Sequence, residues 1–152
     1  MQKKQRGFTL IELLIVMAII LIIAGLAIPN VMRNRIQGNE VSAINSLRTL
    51  NSALVLYSNS YGPYPPALIN LQAPTSGNPT SAAADLIDQL LASGTKAGYQ
   101  FVYTLGPSGA TYTIIARPLA EGQTGSKHFY TDQAGTIRAS TGADANSSST
   151  PI

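Results

Sequence analysis

The sequence has no cysteine and no tryptophan, a single histidine, and only 11% charged residues. Without cysteine there can be no disulfide framework and no zinc ribbon or finger. His128 is the sole imidazole and, with no cysteine beside it, reads as packed or solvated before it reads as a metal ligand. Thirteen glycines and nine prolines in 152 residues are too few for a fibrous repeat, and the length allows one domain of ordinary size. Charge is scarce and uneven. Of the ten lysines and arginines, Lys3, Lys4 and Arg6 precede Gly7, so the remaining seven match the seven carboxylates and the net charge of +3 belongs to the N-terminus. No basic face remains beyond it, so no nucleic-acid partner is expected.

What the chain does have is a long apolar run. Residues 8–28, FTLIELLIVMAIILIIAGLAI, hold one ionisable side chain, Glu12. At 1.5 Å per residue such a helix reaches about 31 Å, the hydrocarbon thickness of a bilayer. Lys3, Lys4 and Arg6 before it, against Arg33 and Arg35 after it, favour a cytoplasmic N-terminus. A cleaved secretory signal is the competing reading, with Gly25-Leu26-Ala27 as its small-x-small site. Glu12 and an apolar stretch longer than the usual signal core argue against it.

Beyond Ile28 the pattern becomes amphipathic. Val41, Ile44, Leu47, Leu50, Leu54, Tyr57 and Tyr61 recur at steps of three or four, which predicts one apolar stripe on a continuing helix. Pro29 lacks an N–H and crowds the preceding turn, so a kink is expected there. Gly25 and Gly38 weaken the helix locally, and Gly62-Pro63 with Pro65-Pro66 end it. A rod from residue 8 to about 60 would measure roughly 80 Å. No small globule encloses both halves of it, so its first half must be buried by lipid or by other chains.

Residues 63–81 read as a loop with one turn near Ala67 to Leu71. Ser81 is positioned to cap a helix over residues 82–92, with Leu86, Ile87, Leu90 and Leu91 inward and Gly94 as the stop. The period then becomes two. Tyr99, Phe101, Tyr103 and Leu105 share one strand face; Tyr112, Ile114 and Ala116 share another across a GPSG turn. Two further strands are expected near residues 127–131 and 136–139, around the turn Asp132-Gln133-Ala134-Gly135. The tail, residues 140–152, carries almost no apolar surface and is expected to be disordered. The fold class is α+β: a long bent N-terminal helix packed on a small antiparallel sheet of three or four strands.

The junction Arg6-Gly7-Phe8-Thr9-Leu10-Ile11-Glu12-Leu13 resembles the class III signal of type IV prepilins and type II secretion pseudopilins. A basic leader ends in Gly, Phe follows, then TLIEL and an apolar helix with Pro29 near its end. The resemblance covers about the first 35 residues closely and the remainder in architecture only. It implies a leader of residues 1–7, cleavage between Gly7 and Phe8 by a membrane-embedded prepilin peptidase, and N-methylation of Phe8. It further implies a transmembrane and filament-core helix over 8–28 and a periplasmic headgroup over 29–139. The implied function is structural, not enzymatic: a type IV pilus subunit, with the major pseudopilin of a type II secretion system as the alternative. Implied partners are like subunits, the peptidase and methyltransferase, an assembly ATPase and its inner-membrane platform, and the membrane. The chain would rest in the inner membrane before entering an extracellular pilus or periplasmic pseudopilus.

Glu12 carries two readings. Thr9-Leu10-Ile11-Glu12 fits a capping box, in which Thr9 caps and Glu12 reaches back to the first-turn N–H groups. The resemblance instead pairs Glu12 with the Phe8 ammonium of a neighbouring subunit, which removes the cost of an unpaired carboxylate in an apolar interior and sets axial register. No cofactor is expected. Calcium is the one ion the pseudopilin branch implies, at an acidic C-terminal loop where this chain has only Asp132 and Asp144. Asp85 and Asp88 at i,i+3 read as a solvated helix face before a metal pair, and His128 as a packed or solvated side chain. No nucleophile-elbow motif is present. The Tyr57, Tyr61, Tyr64 group and the Tyr99, Phe101, Tyr103 group are spaced as core faces, with adhesion or electron transport along a filament as the less economical use. From another class, a membrane-anchored or secreted periplasmic binding domain fits the same composition.

Overall fold

The computed structural model describes residues 7–152; the leader residues before Gly7 and the side chain of Pro29, and with it the expected kink, lie outside the described residues. The chain divides into two units, Met1–Asn34 and Arg35–Ile152. One helix, α1 (Leu10–Tyr61), contributes to both.

In the first unit the described part of the helix is exposed. From Leu10 to Ile23 the large apolar side chains are 49% to 76% exposed. Among the described residues, α1 is the one helix long and apolar enough to cross a membrane. Burying a Leu or Ile side chain is worth about 1.5–3 kcal/mol, so a dozen left in water demand a cover from outside the chain.

In the second unit α1 has an inward stripe. Ala43, Leu47, Leu50, Leu54 and Tyr57 are at most 5% exposed. They pack against Tyr99, Phe101, Tyr112, Ile114 and Phe129. The stripe lies slightly to one side of the predicted one. Val41 is 57% and Tyr61 38% exposed, while Ala43 and Glu40 turn inward in their place. Gly62, at φ 98°, ends the helix, its N–H bonded to the Ser58 carbonyl at 2.9 Å. A left-handed residue just past the last turn is the usual glycine stop.

The sheet is a six-stranded antiparallel meander in the order β1-β2-β3-β4-β5-β6, two or three strands more than expected. Its strands are β1 (Thr95–Lys96), β2 (Tyr99–Leu105), β3 (Tyr112–Pro118), β4 (Lys127–Asp132), β5 (Arg138–Thr141) and β6 (Thr150–Pro151). Phe101 stands opposite Ala116, and Tyr103 opposite Ile114, so the inward residues of β2 and β3 fall on one face as the period of two requires.

Two sequence expectations fail in this unit. The helix predicted over 82–92 is only α2 (Gln89–Ala92), capped by Asp88, whose carboxylate accepts from the Leu91 N–H at 3.0 Å. The segment before it spends its N–H groups elsewhere: Ala84 donates to Asn70, Asp85 to Gln72, and Leu86 and Ile87 to Leu71. Asp85 sits at φ 56°, outside any right-handed helix, and Leu90 is 65% exposed rather than inward. Asp85 and Asp88 therefore do not share a helix. The tail expected to be disordered supplies the end of β5 and all of β6, and buries Ala145 to 1% exposure.

Candidate functional site

Two places carry the chemistry that the sequence singled out. The first is the start of α1. Gly7 has open space where a Cβ would stand, so nothing in the chain itself demands glycine there. Phe8 is 86% exposed. Thr9 caps the helix: the Glu12 N–H donates to Thr9 Oγ1 at 3.3 Å, while the Thr9 N–H and hydroxyl both donate to Glu12 Oε2, at 3.0 and 2.9 Å. That reciprocal pair is a capping box. It uses one carboxylate oxygen; Glu12 Oε1 has no hydrogen bond among the described residues, so the local bond leaves room for a second partner.

The second place is the C-terminal corner of the sheet, where the acidic loop was sought. Asp144 receives a two-pronged Arg117 guanidinium, Nε donating to Oδ1 at 2.7 Å and the terminal nitrogen to Oδ2. His128 Nδ1 lies 3.1 Å from Oδ1. The guanidinium bonds hold the Asp144 carboxyl below the ordinary carboxylate range, against a smaller upward push from burial, and His128 adds to the lowering. Asp132 is committed to its own turn, accepting from the Ala134 N–H at 2.9 Å and the Tyr130 hydroxyl at 3.3 Å. Among the described residues no three acidic or imidazole groups converge as a metal would need. The donor set does not fit calcium: arginine already occupies both Asp144 oxygens.

A third cluster was not legible as a site. Glu40, only 8% exposed, accepts from the Ser126 N–H and hydroxyl at 3.0 and 2.8 Å, with Lys127 Nζ at 3.8 Å. Beside it, Asn39 Nδ2 donates to the Thr124 carbonyl at 2.8 Å. Together they tie the β3–β4 loop to α1. The only advance signal was a carboxylate at the helical spacing of the apolar stripe, three before Ala43 and seven before Leu47. Of the tyrosines expected in the core Tyr61 is exposed, whereas Tyr64 meets Tyr112 edge-on at 4.7 Å, and the hydroxyls of Tyr57, Tyr99 and Tyr103 donate to carbonyls of Ser81, Lys127 and Pro65.

Residues 2–28 match a family model described as a prokaryotic N-terminal methylation motif. The type II secretion system core protein G of Escherichia coli K12 is 30% identical over 112 residues, 74% of this chain and 72% of that protein. The chain belongs to the type IV pilin and pseudopilin family. The core protein G of Aeromonas hydrophila is 36% identical over 81 residues, and that of Dickeya chrysanthemi 35% over 65 residues. Of these two the chain spans only 56% and 42% of the relative's length. Membership makes this pilin-like chain a structural subunit and not an enzyme, and its exposed apolar helix and helix-on-sheet head are the architecture expected of it. The named relatives are secretion components, so the alternative drawn from the sequence fares better than the type IV pilus.

Proposed function

We propose that this pilin-like chain is the main subunit of a type II secretion pseudopilus: a protein anchored in the inner membrane by residues 8–28 and drawn into a periplasmic filament that drives export. The supporting observation is the likeness to Escherichia coli core protein G over most of both chains. On this reading prepilin peptidase cuts between Gly7 and Phe8 and the new amine is methylated. The glycine is then a requirement of the peptidase, in keeping with the empty space around it. An assembly ATPase and membrane platform supply the work of extraction. The apolar helix exchanges lipid for sister helices, so little apolar area meets water in transit.

Glu12 has both roles in sequence. In the single chain it closes the capping box; in the filament its second oxygen receives the Phe8 ammonium of a neighbour, and only one stagger brings the two together.

N-terminal sequencing and mass measurement of the membrane-extracted protein test the processing. A methylated Phe8 start is expected; an intact Met1 or a start at Ile28 would reject it. Gly7→Leu should leave unprocessed precursor in the membrane. Glu12→Ala should be cut and inserted normally yet assemble poorly, and normal filaments from it would leave only the cap. Complementation separates the destinations: restored export in a secretion strain lacking its core protein G supports the pseudopilus, whereas surface filaments that extend and retract without export support the pilus.

A further inference from the structure

Charge is scarce in this chain. Among the described residues, Lys96 pairs with Asp88 at 2.7 Å, Arg117 with Asp144, and Lys127 with Glu40 at 3.8 Å. That leaves Arg33, Arg35, Arg48 and Arg138 against Glu12, Asp85, Glu121 and Asp132. Arg138 donates to the Ser149 carbonyl at 3.0 Å, Glu12 serves the cap and Asp132 its own turn. Arg48 touches only Asn45, at 3.5 Å. Among the described residues the unspent cations lie on α1, and the unspent carboxylates, Asp85 and Glu121, on loops of the head. Opposite charges left over at different places on one chain can match between copies in a head-to-tail contact, and a contact of that kind propagates as a filament unless it closes into a ring.

Of the two acids Asp85 has the receptive surroundings. It lines a cavity of about 710 Å³ with Gln72, Thr75, Gln89 and Thr49. Those amides and hydroxyls can accept the guanidinium N–H groups that a carboxylate leaves over. Glu121 stands exposed on the β3–β4 loop, beside Gly122. On the donor side, Arg35 is exposed, and one turn further Gly38 is exposed with nothing within 4 Å of where its Cβ would be. Glycine inside a helix costs stability relative to alanine. Nothing in the chain's own packing calls for it, and a bare patch lets another surface come close to the helix.

We infer that α1 of one copy docks at Arg35 and Gly38 onto the head of a second copy, with the Arg35 guanidinium on the Asp85 carboxylate. This rests on the filament reading above and assigns it a headgroup contact separate from Glu12. Arg48 lines a neighbouring groove with Thr49 and Leu86, two residues that also line the Asp85 cavity.

The full-length chain, expressed with its assembly system, provides the test. Asp85→Asn keeps a residue that tolerates the positive φ, and Arg35→Gln is exposed on a helix, so both should reach the membrane and be processed at the normal level. Each should lower filament yield roughly three- to tenfold, the range for a partly desolvated charge pair. Gly38→Leu should raise the melting temperature of the head and still suppress filaments, opposite signs that a purely structural glycine would not give. Because the chain has no native cysteine, Arg35→Cys with Asp85→Cys should give a ladder of multimers with a short bismaleimide, and neither single variant should. Unchanged filament yield in both charge variants, or no ladder from assembled filaments of the double-cysteine chain, overturns the contact while leaving the filament reading intact. Absence of wild-type filaments overturns both.

Discussion

Leu13, Leu14 and Ile20 lie on the same helix as Leu47, Leu50 and Leu54 and differ little from them in chemistry, yet the first three are 56% to 58% exposed and the second three fully buried. Side-chain chemistry at these six positions does not separate the two regions. What separates them is a partner surface: in the second unit the sheet covers one side of α1, and in the first the described apolar side chains stay exposed. A stripe of apolar residues at helical spacing closes a fold, whereas apolar residues all round the helix require a bilayer or sister helices.

The strongest way to break that comparison is to divide the chain at its own boundary. A fragment of residues 35–152 should be a water-soluble, cooperatively melting monomer, and the whole chain should need detergent; size-exclusion chromatography and thermal circular dichroism would show it. A fragment that aggregates or lacks a melting transition would mean that the first unit contributes to the head's stability. Within the head, Leu47→Ala or Leu54→Ala should cost about 2–5 kcal/mol in denaturant titration, the range for emptying a fully buried leucine site. Ile20→Ala on the first unit should leave that titration unchanged.

A smaller effect sharpens the contrast at the C-terminal corner, where the head closes its own edge. Asp144→Asn should free residues 142–152 to limited proteolysis while the remaining sheet melts nearly as before. Chelation by EGTA should change nothing, because arginine and not a cation holds the carboxylate. Acid should imitate the mutation. The folded carboxyl titrates below its unfolded value of about 3.9, so its contribution is complete above that pH and disappears as the pH falls through the lowered value. Protease sensitivity of the tail that instead appears near neutral pH would reject the assignment to Asp144. The smallest expected change is at the other end. Thr9→Ala should remove roughly 1 kcal/mol of helix capping, visible as fraying in amide exchange of the detergent-bound chain, with the head untouched.

Much of this was legible because it depends on neighbours in sequence. The 21-residue apolar run, the capping box of Thr9 and Glu12, the glycine stop at Gly62 and the alternation along β2 and β3 each follow from local spacing, and each is where the spacing put it. The failures share one cause. Residues 82–88 have helical apolar spacing and a serine in front, but the carbonyls of Asn70, Leu71 and Gln72 claim their N–H groups, a competition that no local pattern announces. The tail looked too polar to order itself; it is ordered because Arg117, some 27 positions earlier, holds Asp144, and because β5 offers an edge for Thr150 and Pro151 to pair with. Glu40 was passed over because a carboxylate within an apolar stripe gives no sign of the backbone it will bind 86 residues later.

Sequence by itself determined that the chain has a membrane-length helix it cannot cover and a junction at Gly7-Phe8 of the prepilin kind, since length, hydropathy and a contiguous motif are properties of the unfolded chain. Tertiary structure alone decided which side of α1 faces the sheet, that Arg117 takes the place a metal would need at Asp144, and that Arg35 and Asp85 are left over. Those outcomes depend on which distant groups meet, and only the folded chain settles who is already paired.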